Sequence, residues 1–218
     1  MQRNNGGNYI MSLRNRPVRL LGVGLSAVLG FGGIVAAVGG PAAAAPPKPK
    51  VDLVFAIDTT GSMGPYIAAV QDSARSITNL LFSAADARVA LVDYKDLYQD
   101  CASDEYASQV DLPFTATATD FGPSVDGLSA TGGCDIPESV YSGIMTGMAL
   151  PWRPDARRAL LVMGDAPPHD PEPVTGFTEA SVSAAALAGG VSVVPTSRAA
   201  KSMGARAAAA EGAPPIKL

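Results

Sequence analysis

Apolar and polar positions alternate along the chain in two distinct periods. Residues 51–57, VDLVFAI, form an almost unbroken apolar run of branched and aromatic side chains, the pattern of a strand covered on both faces. The run stops at Asp58. After the polar stretch DTTGS, Pro65 opens PYIAAVQDSARSITNLLF, in which Ile67, Val70, Ile77, Leu80 and Leu81 recur at helical spacing. This predicts a strand, a loop and a helix.

The same alternation continues downstream. Residues 88–94 (RVALVDY) predict a second strand, and residues 109–114, with Val110, Leu112 and Phe114 alternating, a third at a sheet edge. Residues 121–128 predict a short helix, 137–150 (PESVYSGIMTGMAL) a helix with proline near its start, and 158–164 (RALLVMG) another buried strand ending at Asp165. A helix over 177–187 and a final strand over 191–194 complete the series. Strands alternating with helices imply an α/β fold: a doubly wound, mostly parallel sheet with right-handed crossovers and one antiparallel edge strand.

The first 45 residues stand apart. Arg14, Arg16 and Arg19 precede an uncharged run from Leu20 to Gly40, followed by PAAAAP, the order of a secretory signal peptide. Met11 offers an alternative start. An uncleaved membrane anchor is the other reading, because the run is long enough to span a bilayer. Residues 46–50, PPKPK, read as an extended linker, 51–196 as the folded domain and 197–218 as a helix or tail with no convincing last strand, which raises the prospect of a truncated, non-binding relic.

Charge then narrows the partners. The 218 residues carry a net charge of −4, and removing the four arginines of the leader leaves 12 basic against 20 acidic residues, a net of −8. That disfavours nucleic acid and favours cations. The two cysteines, Cys101 and Cys134, form an even set that in an exported chain favours one disulfide over two buried thiols; closing their separation is worth roughly 3–4 kcal/mol.

In a doubly wound sheet the loops at the carboxyl ends of the strands share one rim, where ligands bind. Asp58, Asp93, Asp96 and Asp165 all fall at or near it. Carboxylates and hydroxyls without a thiolate or imidazole cluster suit Mg²⁺, Mn²⁺ or Ca²⁺ rather than zinc. Thr60 and Ser62, at alternate loop positions, would offer hydroxyl oxygens to an octahedral Mg²⁺, with Asp58 and Asp165 holding coordinated waters.

Three segments in this order, DTTGS after a strand, GGCDIPES before a helix and LLVMGDAPPH, resemble the von Willebrand factor type A domain in the form found in bacterial secreted proteins. The resemblance spans residues 51–196 and implies a Rossmann-like fold with a metal-ion-dependent adhesion site. By that resemblance Asp58, Thr60 and Ser62 supply the first loop and Asp165 the distant aspartate. Many such domains place a threonine in the middle loop, where this chain has Ile136. The DIPE segment is similar instead to the A-like domains of integrin β subunits, which points to Glu138 as the middle ligand with Asp135 supporting it, and Thr131 as the alternative.

The resemblance implies a secreted module that binds a carboxylate of an extracellular protein through the metal, with membrane contact only if the leader is retained. A metal-dependent hydrolase is the rival class. It lacks a paired nucleophile and base. His169 in APPHD reads as structural, the acidic group Asp93, Asp96, Asp100, Asp104 and Glu105 as a solvated loop near the rim, and Trp152 as packing over helix ends.

Overall fold

The computed structural model describes residues 46–97, 106–134 and 136–196. Five strands, β1 (Lys50–Asp58), β2 (Asp86–Tyr94), β3 (Ser108–Thr115), β4 (Arg157–Met163) and β5 (Val191–Pro195), form one sheet in the order β3-β2-β1-β4-β5. β1 pairs parallel with β2 and β4, β4 pairs parallel with β5, and β3 runs antiparallel along the edge of β2. Four helices cover the sheet: α1 (Ile67–Ala84), α2 (Ala118–Asp126), α3 (Val140–Met148) and α4 (Glu179–Gly189). The expected doubly wound architecture is the one observed.

The unbroken apolar run of β1 follows from its central place. Leu53, Phe55 and Ile57 point to one face, where they meet Phe121 and Val125 of α2 and Ile67, Val70, Ile77 and Leu81 of α1. Val54 and Ala56 point to the other, against Val140, Tyr141 and Ile144 of α3 and Val182 of α4. Burying such side chains on both faces stabilises the sheet by about 1.5–3 kcal/mol each. β3 has neighbours on one side only, so it tolerates Pro113, which has no N–H to donate.

Asp52, inside β1, is the exception to the apolar rule. It is fully buried and held by Arg88 (Nη2 to Oδ2, 2.6 Å) and Arg153 (Nε to Oδ1, 2.8 Å), whose main-chain N–H also donates to it at 2.8 Å. Burial alone would raise its pKa, but the Arg88 hydrogen bond, the Arg153 amide and both guanidinium charges outweigh that and hold it low. This network ties three elements together at the end of the sheet remote from the rim.

Chain direction positions the functional rim. From β1 the chain crosses one face through α1 to reach β2; from β2 it returns by the edge and α3 to β4 on the opposite side of β1. The loops after β1 and β4 therefore diverge and leave a crevice between their ends. Asp58 and Asp165 flank it.

α4 begins with a reciprocal capping box between Thr178 and Ser181 and ends at Gly190 in the left-handed region (φ 58°), as an unstrained stop requires. Trp152 packs as expected: its Nε1 donates to the Met148 carbonyl at the end of α3 (3.2 Å) and its ring meets Phe114 edge-on. Among the described residues, no helix is long and apolar enough to cross a membrane. The expected leader (1–45), the tail (197–218), Cys101 and Asp135 lie outside the described residues, so the Cys101–Cys134 pairing rests on the sequence.

Candidate metal centre

Three loops build the crevice. The first leaves β1 at Asp58 and makes a single turn of 3-10 helix over Gly61–Met63 before α1. The extended conformation of Thr60 (φ −67°, ψ 161°) sends alternate side chains to one side. Asp58 Oδ1 accepts from the Thr60 main-chain N–H at 2.9 Å and from its hydroxyl at 2.6 Å, and the Thr60 and Ser62 hydroxyl oxygens lie 3.2 Å apart. Ser62 Oγ reaches across to Asp165 Oδ1 at 2.9 Å. One chain of contacts thus joins the four residues expected from the first and last loops.

The middle loop is zipped to the first. The Gly61 N–H donates to the Gly132 carbonyl (2.9 Å) and the Thr131 N–H to the Thr59 carbonyl (2.9 Å). A side chain on Gly61 would stand 2.9 Å from that Gly132 oxygen, closer than packing allows. Gly132 and Gly133 adopt φ of 74° and 82°, a turn glycine makes without strain. Glu138 follows, fixed by a main-chain bond to the Pro167 carbonyl (2.9 Å) and an isolated bridge to Pro168, so the segment between α2 and α3 and the loop after β4 are stitched together where the carboxylate emerges.

The resulting cleft, about 440 Å³, is lined by Thr60, Gly61, Ser62, Gly132, Gly133, Cys134, Ile136 and Glu138. Thr60 and Glu138 are its buried lining, with buried Asp58 bonded to Thr60; Ser62 is exposed and bonded to exposed Asp165. Ile136 is 69% exposed at the rim, unusual for so large an apolar side chain, and contributes surface rather than a ligand. Gly164 is required beside Asp58: a Cβ there would collide with the Tyr94 hydroxyl and lie 3.0 Å from both Asp58 Cβ and Asp58 Oδ2.

The electrostatics are those of a cation cradle. Asp58 Oδ2 and Glu138 Oε2 are buried with no hydrogen-bond partner. Burial, and then the charge of Asp165, push the Asp58 carboxyl up to about 6, against the hydrogen bonds from Thr60. Burial and the charges of Asp58 and Asp96 push Glu138 up to about 8. Unpaired buried carboxylates are costly unless something positive joins them. Among the described residues no three acidic, imidazole or thiolate groups converge as a ready-made cage, so the hydroxyls of Thr60 and Ser62 are needed to complete a set of oxygen donors. Such a set fits a hard divalent ion.

Other expected residues resolve differently. The Thr131 carbonyl and hydroxyl accept from Lys95 Nζ (2.6 and 3.4 Å), which also donates to the Thr59 carbonyl (2.9 Å), so Thr131 serves the loop clamp. His169 Nε2 lies 3.1 Å from Asp96 Oδ1, a structural contact. Asp93 and Asp96, expected in a solvated loop, are 3% and 0% exposed, Asp93 lying within β2 under the hydroxyls of Thr59 and Tyr106 and Asp96 against His169; Asp100, Asp104 and Glu105 lie outside the described residues. Sequence reading missed Tyr94, Lys95 and Gly164, whose roles arise from contacts between loops. Their only visible signal is adjacency to the ends of β2 and β4.

The sequence profile of the von Willebrand factor A domain matches residues 52–206, and the chain belongs to that family. It is 32% identical over 125 residues to the alpha-protein kinase vwkA of Dictyostelium discoideum, a match covering 56% of this chain and 19% of that protein. Its fold is similar to that of proximal thread matrix protein 1 from the mussel byssus in two crystal structures. One, with a zinc-occupied metal-ion-dependent adhesion site, superposes with a TM-score of 0.53 at 12% identity over 69% of this chain and 36% of that one. The other gives 0.52 at 11% identity over the same shares. The chain thus spans less than a fifth of its curated relative and about a third of the mussel protein.

Proposed function

We propose that this chain is an extracellular binding module in which a divalent ion, Mg²⁺ or alternatively Mn²⁺ or Ca²⁺, sits among Asp58, Thr60, Ser62, Glu138 and Asp165 and offers an open position to a carboxylate of a partner protein. The observation that carries the reading is the pair of buried, unpartnered oxygens, Asp58 Oδ2 and Glu138 Oε2, with Asp58 bonded to Thr60 and with Thr60, Ser62 and Glu138 lining one open cleft where the two hydroxyls stand side by side. When bound, the ion supplies a fixed positive charge within an acidic rim, which makes one carboxylate attractive where the chain's net charge repels it.

The chain's own residues set the rest. The Thr60 N–H holds Asp58 Oδ1 in place, leaving Oδ2 for the ion. Ser62 and Asp165 guard the lip, and exposed Ile136 gives an apolar side chain of the partner somewhere to rest. The leader-like first 45 residues support export, and a Cys101–Cys134 bond would anchor the middle loop. The zinc-loaded site of the mussel protein supports metal binding by this fold.

The test is selection from a displayed random-peptide library on the full chain in Mg²⁺. The reading predicts acidic peptides whose binding is abolished by chelator and by Ser62→Ala. Peptides without a carboxylate, or binding indifferent to chelator, would refute it.

A further inference from the structure

A second cavity, of about 190 Å³, lies on the other side of the first loop, lined by Asp93, Lys95, Tyr106, Gln109, Asp111 and the segment after α2. Two carboxylates meet there. Each is half satisfied: Asp93 Oδ2 accepts from the hydroxyls of Thr59 (2.9 Å) and Tyr106 (2.7 Å), and Asp111 Oδ1 from Gln109 Nε2 (3.2 Å). The remaining oxygens, Asp93 Oδ1 and Asp111 Oδ2, are buried with no partner. Asp93 is only 3% exposed, so water has little access to relieve it.

The nearby cation does not resolve this. Lys95 directs its ammonium at the Thr59 carbonyl and at the carbonyl and hydroxyl of Thr131, three acceptors for three protons. The backbone shows how the acids were brought together. Val92 pairs with Val110 and Leu91 with Leu112, so a register shift leaves Asp111 as the extra residue of β3. Such a bulge re-aims a side chain, here onto the cavity wall beside Asp93, and an outward-facing edge position would have been solvated without cost.

We propose that this cavity is a second cation site, distinct from the adhesion cleft, that takes a hard divalent ion of the Ca²⁺ type between Asp93 Oδ1 and Asp111 Oδ2. The lining is rich in oxygen donors and offers neither thiolate nor imidazole, and two carboxylates with irregular neutral oxygens suit the flexible coordination of Ca²⁺ better than the strict octahedron of Mg²⁺. The volume holds an ion with a few waters, each occupying about 30 Å³. Thr59 lies between Asp58 and Thr60 and bonds Asp93, so an ion here also steadies the loop that carries the first site. The inference does not depend on the proposed function.

The experiment is calorimetric titration of the full chain with Ca²⁺, comparing wild type, Asp111→Asn, Asp165→Asn and the double variant. Asp111→Asn removes a like charge beside Asp93 and should leave the fold intact, checked by circular dichroism; Asp93→Asn is the second variant. The proposal expects one equivalent fewer for either cavity variant, and none bound by the double variant of both sites. Uptake by both cavity variants equal to wild type overturns it. If Asp165→Asn changes nothing while Asp111→Asn removes one equivalent, this site stands and the adhesion reading falls.

Discussion

Without metal, the protein should lose stability as pH rises, and divalent ion should abolish that loss. Asp58 is raised from 3.8 to about 6 and Glu138 from 4.5 to about 8, both first by burial and then by neighbouring carboxylates. Between about pH 4 and pH 8 the folded chain retains protons that the unfolded chain has released, so stability falls with increasing pH. At about 1.4 kcal/mol per unit, Asp58 accounts for about 3 kcal/mol and Glu138 for about 5. The charge of Asp58 enters only the Glu138 figure, so the two add to a combined loss on the order of 5–8 kcal/mol. For a domain of this size that is roughly 20 °C in melting temperature. Asp111, raised to about 7 by burial and by Asp93, adds in the same direction. Asp52, held low, acts oppositely but only below about pH 4.

The assay is thermal unfolding followed by circular dichroism in chelator across this range, repeated in saturating Mg²⁺. The melting temperature should fall with pH in chelator, and the stabilisation by Mg²⁺ should grow with pH as the ion takes the place of the protons. Glu138→Gln should flatten the upper part of the chelator curve, leaving the portions due to Asp58 and Asp111. A melting temperature that rises with pH in chelator, or a Mg²⁺ effect independent of pH, refutes the reasoning.

Further outcomes follow from the same contacts. Arg153→Ala strips the buried Asp52 of a guanidinium and should cost about 2–3 kcal/mol in urea unfolding, with Mg²⁺ affinity unchanged because the network sits at the remote end of the sheet. Leu160→Ala empties a fully buried position and should cost about 2–5 kcal/mol by the same assay, again without altering the metal-bound site. Gly164→Ala forces a methyl against Tyr94 and Asp58 and should both destabilise, by about 1–3 kcal/mol, and weaken Mg²⁺ at least tenfold in calorimetry.

How much was legible in the sequence depended on the range of the cause. β1 and β4 read clearly because a strand buried on both faces must be apolar throughout, and their abrupt ends at Asp58 and near Asp165 marked the rim. The alternate hydroxyls of Thr60 and Ser62 read clearly because strand-like spacing is local. Glu138 was reached only through the likeness of DIPE to another A-like domain, since its position depends on a bridge to Pro168, thirty residues on. The burial of Asp93 and Asp96 was misjudged for the same reason: a run of acids looks solvated until the cover from Tyr106, His169 and the middle loop is in place. Asp111 gave no signal, because a shift in strand register leaves no trace in composition.

The central claim is that one divalent ion joins the loops after β1 and β4 with the segment between α2 and α3. It is tested most directly by diffraction from crystals grown in Mn²⁺, with data collected at the manganese edge. The account predicts an anomalous peak within coordination distance of oxygens from Ser62 and Glu138, lost in Ser62→Ala crystals. Density showing those oxygens paired only with protein groups or water, with no anomalous peak in the cleft, would contradict it.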